Sequence, residues 1–457
     1  MSRVLSYYAD DFTGATDALE AVSMTGLRSI LLLDLPNADS IARYREYDVV
    51  GLAGTSRAMA PAEMDVELPP AFAFLRQLGS RVVHYKFCST LDSSPAIGSI
   101  GRALELGMDE FPSRFVPVVV GVPALGRYCA FGNLFATSGL DSPAYRLDRH
   151  PTMQHHPVTP MHESDIRLHL GEQTHKSIAL FDLLALQASD ARRRTILEGL
   201  VREGADAILF DTLHEEHLRV IGGFMWERAH DAPVLTFGSS GVEYALTEYL
   251  KQAGHVSGSL PTTSLEASDS LLVISGSCSP VTAKQISVAI AHGFASVPLE
   301  ASALVDRTTA SEAIRTATEA ARHHLAGGRH TIVHSCLGPD DPRMIRTATR
   351  GGDTERAANL NEQIGEAFRS VLKDILADGS VRRVVIAGGD TCGRVARLLP
   401  IRALEIVAPV APGAPLCRAH APNTNLDGLE IVFKGGQTGT SAYFTSLASG
   451  RTDAYPG

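Results

Sequence analysis

VLSYYADDFTGATD, residues 4–17, carries the reading that decides the fold. The aliphatic and aromatic run Val4 to Ala9 predicts a strand. Asp10-Asp11 followed by Thr13-Gly14 predicts a polar turn that opens a helix near Ala15. Working outward, the same alternation recurs. Strands are expected at Val4 to Ala9, Ser29 to Leu33, Val49 to Ala53, Val82 to Phe87, Val116 to Val120, Ile178 to Phe181, Ala207 to Phe210 and Val234 to Phe237. Helical patterns such as Ala15 to Thr25, and Ala71 to Leu78 entered through Pro69-Pro70, lie between them. Strands alternating with amphipathic helices are the signature of parallel sheets covered by helices.

At 457 residues the chain exceeds what one hydrophobic core normally supports, so two domains are expected. The stretch AGHVSGSLPTTSLEASD, 253–269, has the composition of a linker. The reading is therefore α/β, with two α/β domains, mainly parallel sheets and a cleft between them. The N-terminal domain is 1–252, the linker 253–269 and the C-terminal domain 270–457. In the second domain strands are expected at Leu271 to Ile274, Thr331 to His334, Val384 to Ala387, Leu404 to Val410 and Leu429 to Lys434, with helices at Val281 to His292 and Asn361 to Ala377. The His-, Pro- and aromatic-rich excursion 126–175 is too long for a plain connection. It reads as a lid, a small subdomain or an interface arm, the last of which would make a homodimer.

In open parallel sheets ligands bind beyond the carboxyl ends of the strands. In the first domain these ends read Asp10-Asp11-Phe12-Thr13-Gly14, Thr55-Ser56-Arg57, Lys86-Phe87-Cys88-Ser89-Thr90, Asp211-Thr212 and Gly238-Ser239-Ser240-Gly241. Acids, an arginine, a lysine and hydroxyls together suit a polyol that carries a carboxylate. Asp10, Asp11 and Thr13 serve equally as helix caps, and an isolated Arg57 or Lys86 equally as a surface cation. Lysine is scarce: Lys86, Lys176, Lys251, Lys284, Lys373 and Lys434 stand among 41 basic residues. In the second domain the ends read Ser275-Gly276-Ser277-Cys278-Ser279, His334-Ser335-Cys336 and Gly388-Gly389-Asp390-Thr391-Cys392-Gly393, and further glycine turns lie at 412–415 and 434–439. Small residues at strand-to-helix turns let backbone N–H groups approach a polyphosphate.

A net charge of −10 disfavours nucleic acid, and no apolar run approaches the length of a membrane span. The scattered Cys88, Cys129, Cys278, Cys336, Cys392 and Cys417 form no CxxC pair, which predicts reduced thiols in a cytoplasmic protein and no zinc site. No lysine follows a glycine and no two glycines stand two apart, so neither a P-loop nor GxGxxG is present. GxSxG is absent, and Ile166 stands where HExxH would need its second histidine. No metal ligand set is assigned.

With these loops in view the sequence resembles the four-carbon acid sugar kinase family. The resemblance is carried almost end to end by ADDFTGATD (9–17), TSR (55–57), YKFCSTLDSSPAIGSIG (85–101), HHPVTPM (155–161), SGSCSPVTAKQ (275–285), AGGDTCG (387–393), APGAP (411–415) and FKGGQTG (433–439). It implies a kinase whose N-terminal domain holds an acid sugar and whose C-terminal domain holds ATP with Mg²⁺. The implied substrate site comprises Asp10, Asp11, Arg57, Lys86, Ser89 and Asp92, with Asp11 or Asp10 as base and Lys86 beside it. The implied nucleotide site comprises Ser275, Ser277, Ser279, Gly388, Gly389, Asp390, Thr391, Gly413 and Gly436, with Asp390 near the Mg²⁺. The form Cys88-Ser89-Thr90-Leu91-Asp92-Ser93 is similar to the branch acting on 3-oxo-tetronates. Gly98-Ser99, Gly436-Gln437 and the stretch 123–136 depart from that branch, which keeps a branched acid sugar such as 3-oxo-isoapionate, D-threonate or D-erythronate, and a non-catalytic nucleotide sensor, as alternatives.

Overall fold

The computed structural model describes residues 3–36, 38–113, 115–138, 142–156, 158–256, 265–339, 341, 343 and 354–452. The chain divides into two compact units, residues 1–260 and 261–457, each described here by itself.

In the first unit β1 (Leu5–Ala9), β2 (Ser29–Leu32), β3 (Val49–Ala53), β4 (Val82–Lys86), β5 (Pro117–Val119), β9 (Ile178–Phe181), β10 (Ala207–Phe210) and β11 (Val234–Gly238) stand in the order β2-β3-β1-β4-β11-β5-β10-β9. Every pairing in this set is parallel. The central strands are buried throughout, as the unbroken apolar runs require when helices cover both faces. Chain order runs from β1 out to β2, back to β3, and then across to β4 on the far side of β1. The winding therefore reverses between β1 and β4, where Asp10 and Lys86 lie.

One helix differs from its expected form. Rather than entering at Pro69-Pro70, it spans Pro61–Gln77, with Pro61 in its first turn and Glu63 Oε2 accepting from the Ala60 N–H at 2.7 Å. Pro69 and Pro70 lie on the exposed side. The carbonyls they release, of Asp65 and Val66, also belong to exposed residues and so reach water. Met64, Leu68, Ala71, Phe72, Phe74 and Leu75 are buried on the other side.

The 126–175 excursion contains a three-stranded antiparallel sheet of β6 (Arg127–Ala130), β7 (Asn133–Thr137) and β8 (Ala144–Arg146), followed by the short helix Ile166–Gly171. It is docked on its own unit. Cys129 exchanges backbone hydrogen bonds with Thr212, and the fully buried Asp211 carboxylate accepts from the amides of Phe131 (2.6 Å), Gly132 (2.9 Å) and Leu183 (3.0 Å). Asp211, read from sequence among the polyol-binding strand ends, is committed to holding backbone.

In the second unit β12 (Leu271–Ser275), β13 (Ala295–Pro298), β14 (Thr331–His334), β15 (Arg383–Ala387) and β18 (Glu430–Lys434) are parallel. β16 (Ala403–Ala408) and β17 (Leu416–His420) run antiparallel at one side, giving the order β13-β14-β12-β15-β18-β17-β16. The first four strands repeat the winding of β2-β3-β1-β4, so the reversal falls between β12 and β15. Helices Pro280–Ala291, Arg307–Ala326, Thr354–Ile375 and Gly389–Leu398 accompany them. Among the described residues no helix is long and apolar enough to cross a membrane.

Replacing Asp211 by alanine leaves three buried backbone donors without an acceptor. The expected loss is at least about 3 kcal/mol of unfolding free energy, read from urea denaturation; a loss below 1 kcal/mol would show that the arm is not held this way.

Candidate active site

At the β1/β4 reversal the strand ends deliver charge. Asp10 continues β1 and is almost wholly buried; Asp11 leaves the strand and becomes the N-cap of helix Phe12–Ser23, accepting from the Gly14 amide at 2.9 Å and the Thr13 hydroxyl at 2.5 Å. Arg57, in the turn after β3, forks onto Asp10 through Nε (3.0 Å) and Nη2 (2.7 Å), and the same Nη2 reaches Asp11 Oδ1 at 2.8 Å. Lys86, the buried last residue of β4, points across at Asp17 with Nζ 3.7 Å from Oδ2. Gly14 makes this crowding feasible, because a Cβ there would stand 2.3 Å from Lys86 Nζ and 2.5 Å from Asp11 Oδ1.

Burial and charge pull these groups apart. Burial pushes the Asp10 carboxyl up in spite of Arg57, and does the same to Asp17 in spite of Lys86. Burial works against Asp11 ionising too, but Arg57, Lys86, Thr13 and the Gly14 amide outweigh it and hold Asp11 below the usual carboxylate range. Burial likewise opposes the Lys86 and Arg57 cations, and the surrounding carboxylates overcome it, so both are held above their ordinary values. Asp11 is thus ionised at neutral pH and flanked by fixed cations.

The loop after β4 closes one side. Thr90 donates to Asp92 Oδ1 at 2.8 Å, and Ser89 is half-buried beside it. Leu91 is held at φ 55°, a conformation rarely adopted outside glycine. Ser93 braces it by donating to the Leu91 carbonyl at 3.0 Å, and the Ser93 hydroxyl also meets His169 of the arm at 2.9 Å.

Sequence reasoning did not single out Asp17 or Arg127. Asp17 lies inside the quoted ADDFTGATD stretch, four residues after Thr13 and so on the same helical face, a spacing that could have flagged it. Arg127 starts β6, with Nη1 on the carbonyls of Leu125, Gly126 and Thr137 at 3.1, 3.2 and 3.2 Å. Its buried Nε has no partner among the described residues. Its guanidinium, weakened by burial, is drawn by Cys88, Asp92 and Asp17. Only the packing of the arm brings it here.

At the β12/β15 reversal the groups are small and nearly neutral. The Ser275 hydroxyl is fully buried and unpartnered among the described residues. Ser277 accepts from the Ser279 amide (3.3 Å), and Ser279 caps helix Pro280–Ala291 by accepting from Val281 (3.2 Å). Gly388 needs its φ of 116° to turn from β15 into helix Gly389–Leu398, and its missing Cβ would meet Thr391 Oγ1 at 3.1 Å and the Ser277 amide at 3.2 Å. A Cβ on Gly436 would stand 2.8 Å from Ser277 Oγ and 3.1 Å from Ser279 Cβ. Ser277, Ser279, Gly388, Thr391 and Gly436 therefore converge. Gly413 lies in the turn before β17 at φ 75°, and the side chain of Asp390 lies outside the described residues. The 434–439 loop is fastened from below: Thr282 donates to the Gly436 carbonyl at 2.8 Å, and Gln285 Nε2 to the carbonyls of Thr438 (2.9 Å) and Thr440 (2.8 Å). Beside this cradle, beyond β14, lies a cavity of about 870 Å³ lined in part by Pro280, Lys284, Pro298, His334 and Arg343. Burial and Arg343 keep the His334 imidazole neutral, down to about 4, and it meets Ser296 Oγ at 2.9 Å.

Residues 5–246 match the sugar-binding N-terminal domain and residues 272–444 the nucleotide-binding C-terminal domain, so each cluster falls in the domain whose ligand suits it. The chain belongs to the four-carbon acid sugar kinase family. It is similar to the 3-oxo-isoapionate kinase of Paraburkholderia graminis, with 43% identity over 98% of this chain and 94% of the relative. Two 3-oxo-tetronate kinases follow: that of Pseudomonas fluorescens at 30% identity over 97% and 96%, and that of Cupriavidus necator at 29% over 96% and 95%. A Salmonella typhimurium LT2 chain shares the fold with a TM-score of 0.78 at 23% identity, covering 97% of this chain and 98% of its own. The Haemophilus influenzae protein HI1011 does so with a TM-score of 0.69 at 21% over 97% and 98%. The protein is an acid sugar kinase.

In this kinase Arg57→Met leaves Asp10 and Asp11 facing each other without their shared cation. Thermal and urea unfolding should show a loss of about 3 kcal/mol, with Arg57→Lys recovering only part, since a single ammonium cannot reproduce the fork. Equal stability of both variants and wild type would show that the fork is not what holds the acids.

Proposed function

We propose that the kinase transfers the γ-phosphoryl group of ATP to a primary hydroxyl of a branched 3-oxo acid sugar of the 3-oxo-isoapionate type, with Mg²⁺ accompanying the nucleotide. The observation that carries the choice of sugar is the 43% identity to the 3-oxo-isoapionate kinase against 29–30% to the 3-oxo-tetronate kinases, at similar coverage.

Asp11 is the proposed base. It is held ionised at the mouth of β1 and is more exposed than Asp10, 17% against 6% for the side chain, so a hydroxyl can reach it. Asp10, with both oxygens on Arg57, is the holder of that arginine. Lys86, set by Asp17, supplies positive charge beside the reacting oxygen. Arg127, with its unpaired Nε, is the proposed partner of the substrate carboxylate, and Ser89 and Asp92 border its hydroxyls.

The cradle of Ser275, Ser277, Ser279, Gly388, Gly389, Thr391 and Gly436 fits a polyphosphate. Its missing Cβ atoms leave backbone amides approachable, and the Ser275 hydroxyl lacks a partner among the described residues. Gly413 is assigned to the same ligand by the family resemblance alone. The adjacent cavity, with neutral His334 and the cations Lys284 and Arg343, suits base and ribose. ATP supplies the phosphoryl group, and the protein supplies orientation and charge. Among the described residues no cluster of His, Cys, Asp and Glu is arranged to hold a metal ion, so Mg²⁺ is assigned to the nucleotide rather than to a protein cage.

The test is coupled-assay turnover with ATP and Mg²⁺ over 3-oxo-isoapionate, 3-oxo-tetronates, D-threonate and D-erythronate. kcat/KM should be highest on 3-oxo-isoapionate; preference for a straight-chain acid would overturn the choice of sugar. Asp11→Asn should lower kcat by about 100-fold or more, with Asp10→Asn acting mainly through stability. Arg127→Met should raise the KM for the acid sugar while leaving the KM for ATP unchanged. An unchanged acid-sugar KM would remove Arg127 from the site.

A further inference from the structure

Lys434 ends β18 immediately before the Gly435-Gly436 turn, and its side chain is fully buried. Its ammonium contacts two neutral oxygens, the Gly435 carbonyl at 2.9 Å and Thr282 Oγ1 at 3.4 Å, and lies 5.8 and 6.0 Å from the ring centres of Tyr443 and Phe444. Among the described residues no carboxylate pairs with it. The titratable groups that face it are the Cys392 thiol, which donates to the Ile386 carbonyl, and the Tyr443 phenol, which donates to the Ala414 carbonyl. The ion pair on this strand, Arg383 with Glu430, stands at its opposite end. A buried lysine without an acid is costly in its charged form. The same atoms that enclose it, Thr282 and Gly435, are those that shape the candidate phosphate loop.

We propose that Lys434 is the counter-charge beneath the polyphosphate, and that nucleotide binding is coupled to proton uptake at its Nζ. The inference rests on the reading that the Ser277–Gly436 cradle holds ATP. Lys434 is a positioning residue: it lies under the loop, fixing the Gly435 carbonyl, and meets the phosphates through its field. In the free protein burial brings Lys434 down to about 7 from an ordinary 10.5. A single negative charge about 5 Å away in such surroundings is worth roughly two pKa units, enough to refill the proton. The balance is simple: neutral Lys434 takes one proton from solvent as the phosphate anion arrives, and gives it back on release.

The signs follow. Between about pH 7 and 10.5 the unfolded chain holds this proton and the free folded chain does not, so Lys434 makes the nucleotide-free protein more stable as pH rises through that window. Nucleotide affinity moves the other way, weakening by up to roughly tenfold per pH unit above 7.

The experiment is calorimetric titration of the full-length chain with Mg²⁺-ATP and with ADP at pH 8, in two buffers of different ionisation enthalpy, together with Kd from pH 6.5 to 9. The expected result is net proton uptake approaching one per nucleotide, absent in Lys434→Met, whose Kd is flat with pH. Lys434→Arg, always charged, should also bind without uptake. Should either variant fail to fold, judged by melting, the wild-type proton count decides alone. Wild-type binding with no proton uptake, or uptake that survives in a folded Lys434→Met, overturns this proposal and leaves the ATP reading intact. No nucleotide binding by the wild type overturns both.

Discussion

The chemistry of each unit depends on a reversal of winding. When a parallel sheet grows first to one side of its opening strand and then to the other, the loops leaving two adjacent strands part company and a crevice opens at their carboxyl ends. Here the order β2-β3-β1-β4 recurs as β13-β14-β12-β15, so each unit has one such crevice between its first and fourth strands. Asp10, Asp11 and Lys86 stand at one. Ser275 to Ser279 and Gly388 to Thr391 stand at the other. The helices, the arm and the antiparallel edge of the second unit supply walls and anchors for what these two gaps already place.

The same architecture is filled in opposite ways. The first crevice is crowded with full charges that compensate one another: Arg57 bridges Asp10 and Asp11, and Lys86 faces Asp17. Such a network costs desolvation and returns it only while every member has its partner, which makes it a device for fixing geometry more than for stability. The second crevice has serines, a threonine and glycines around it and a lysine underneath. A polyol acid needs directional acceptors and donors at fixed points, whereas a polyphosphate brings its own charge and needs amides that can approach it.

Much of this was legible in the sequence because its signals are local. β-branched runs gave the buried parallel strands to within a residue or two, and the polar residues after them located both crevices. The missed elements had weak or misleading local signals. β13 is the four-residue ASVP ending in proline, β17 is the mixed LCRAH, and the prolines at 69 and 70 mimicked a helix start in a helix that begins at Pro61. Partnerships were hidden for a different reason. Lys434 meets Thr282 across 152 positions, Ser93 meets His169 across 76, and Arg57 meets Asp10 across 47, so only the fold says that Asp10 and Asp11 have separate jobs.

The charge of the first crevice constrains how an acid sugar enters it. With Asp10, Asp11 and Asp17 ionised against Arg57 and Lys86, the cluster carries one net negative charge and repels a carboxylate. Two features act against that. Burial raises Asp10 and Asp17, so that a proton retained there cancels the excess; and Arg127, brought from the arm, adds a cation whose Nε is unspent among the described residues. The first alone would neutralise the site without orienting the ligand, because a shared proton has no fixed direction toward a carboxylate. The second gives direction, since a guanidinium held by Leu125, Gly126 and Thr137 has its remaining edge fixed. On this argument the arm contributes to recognition through the cation it positions, and the Asp211 anchor that seats it is as much part of substrate selection as the residues at the strand ends.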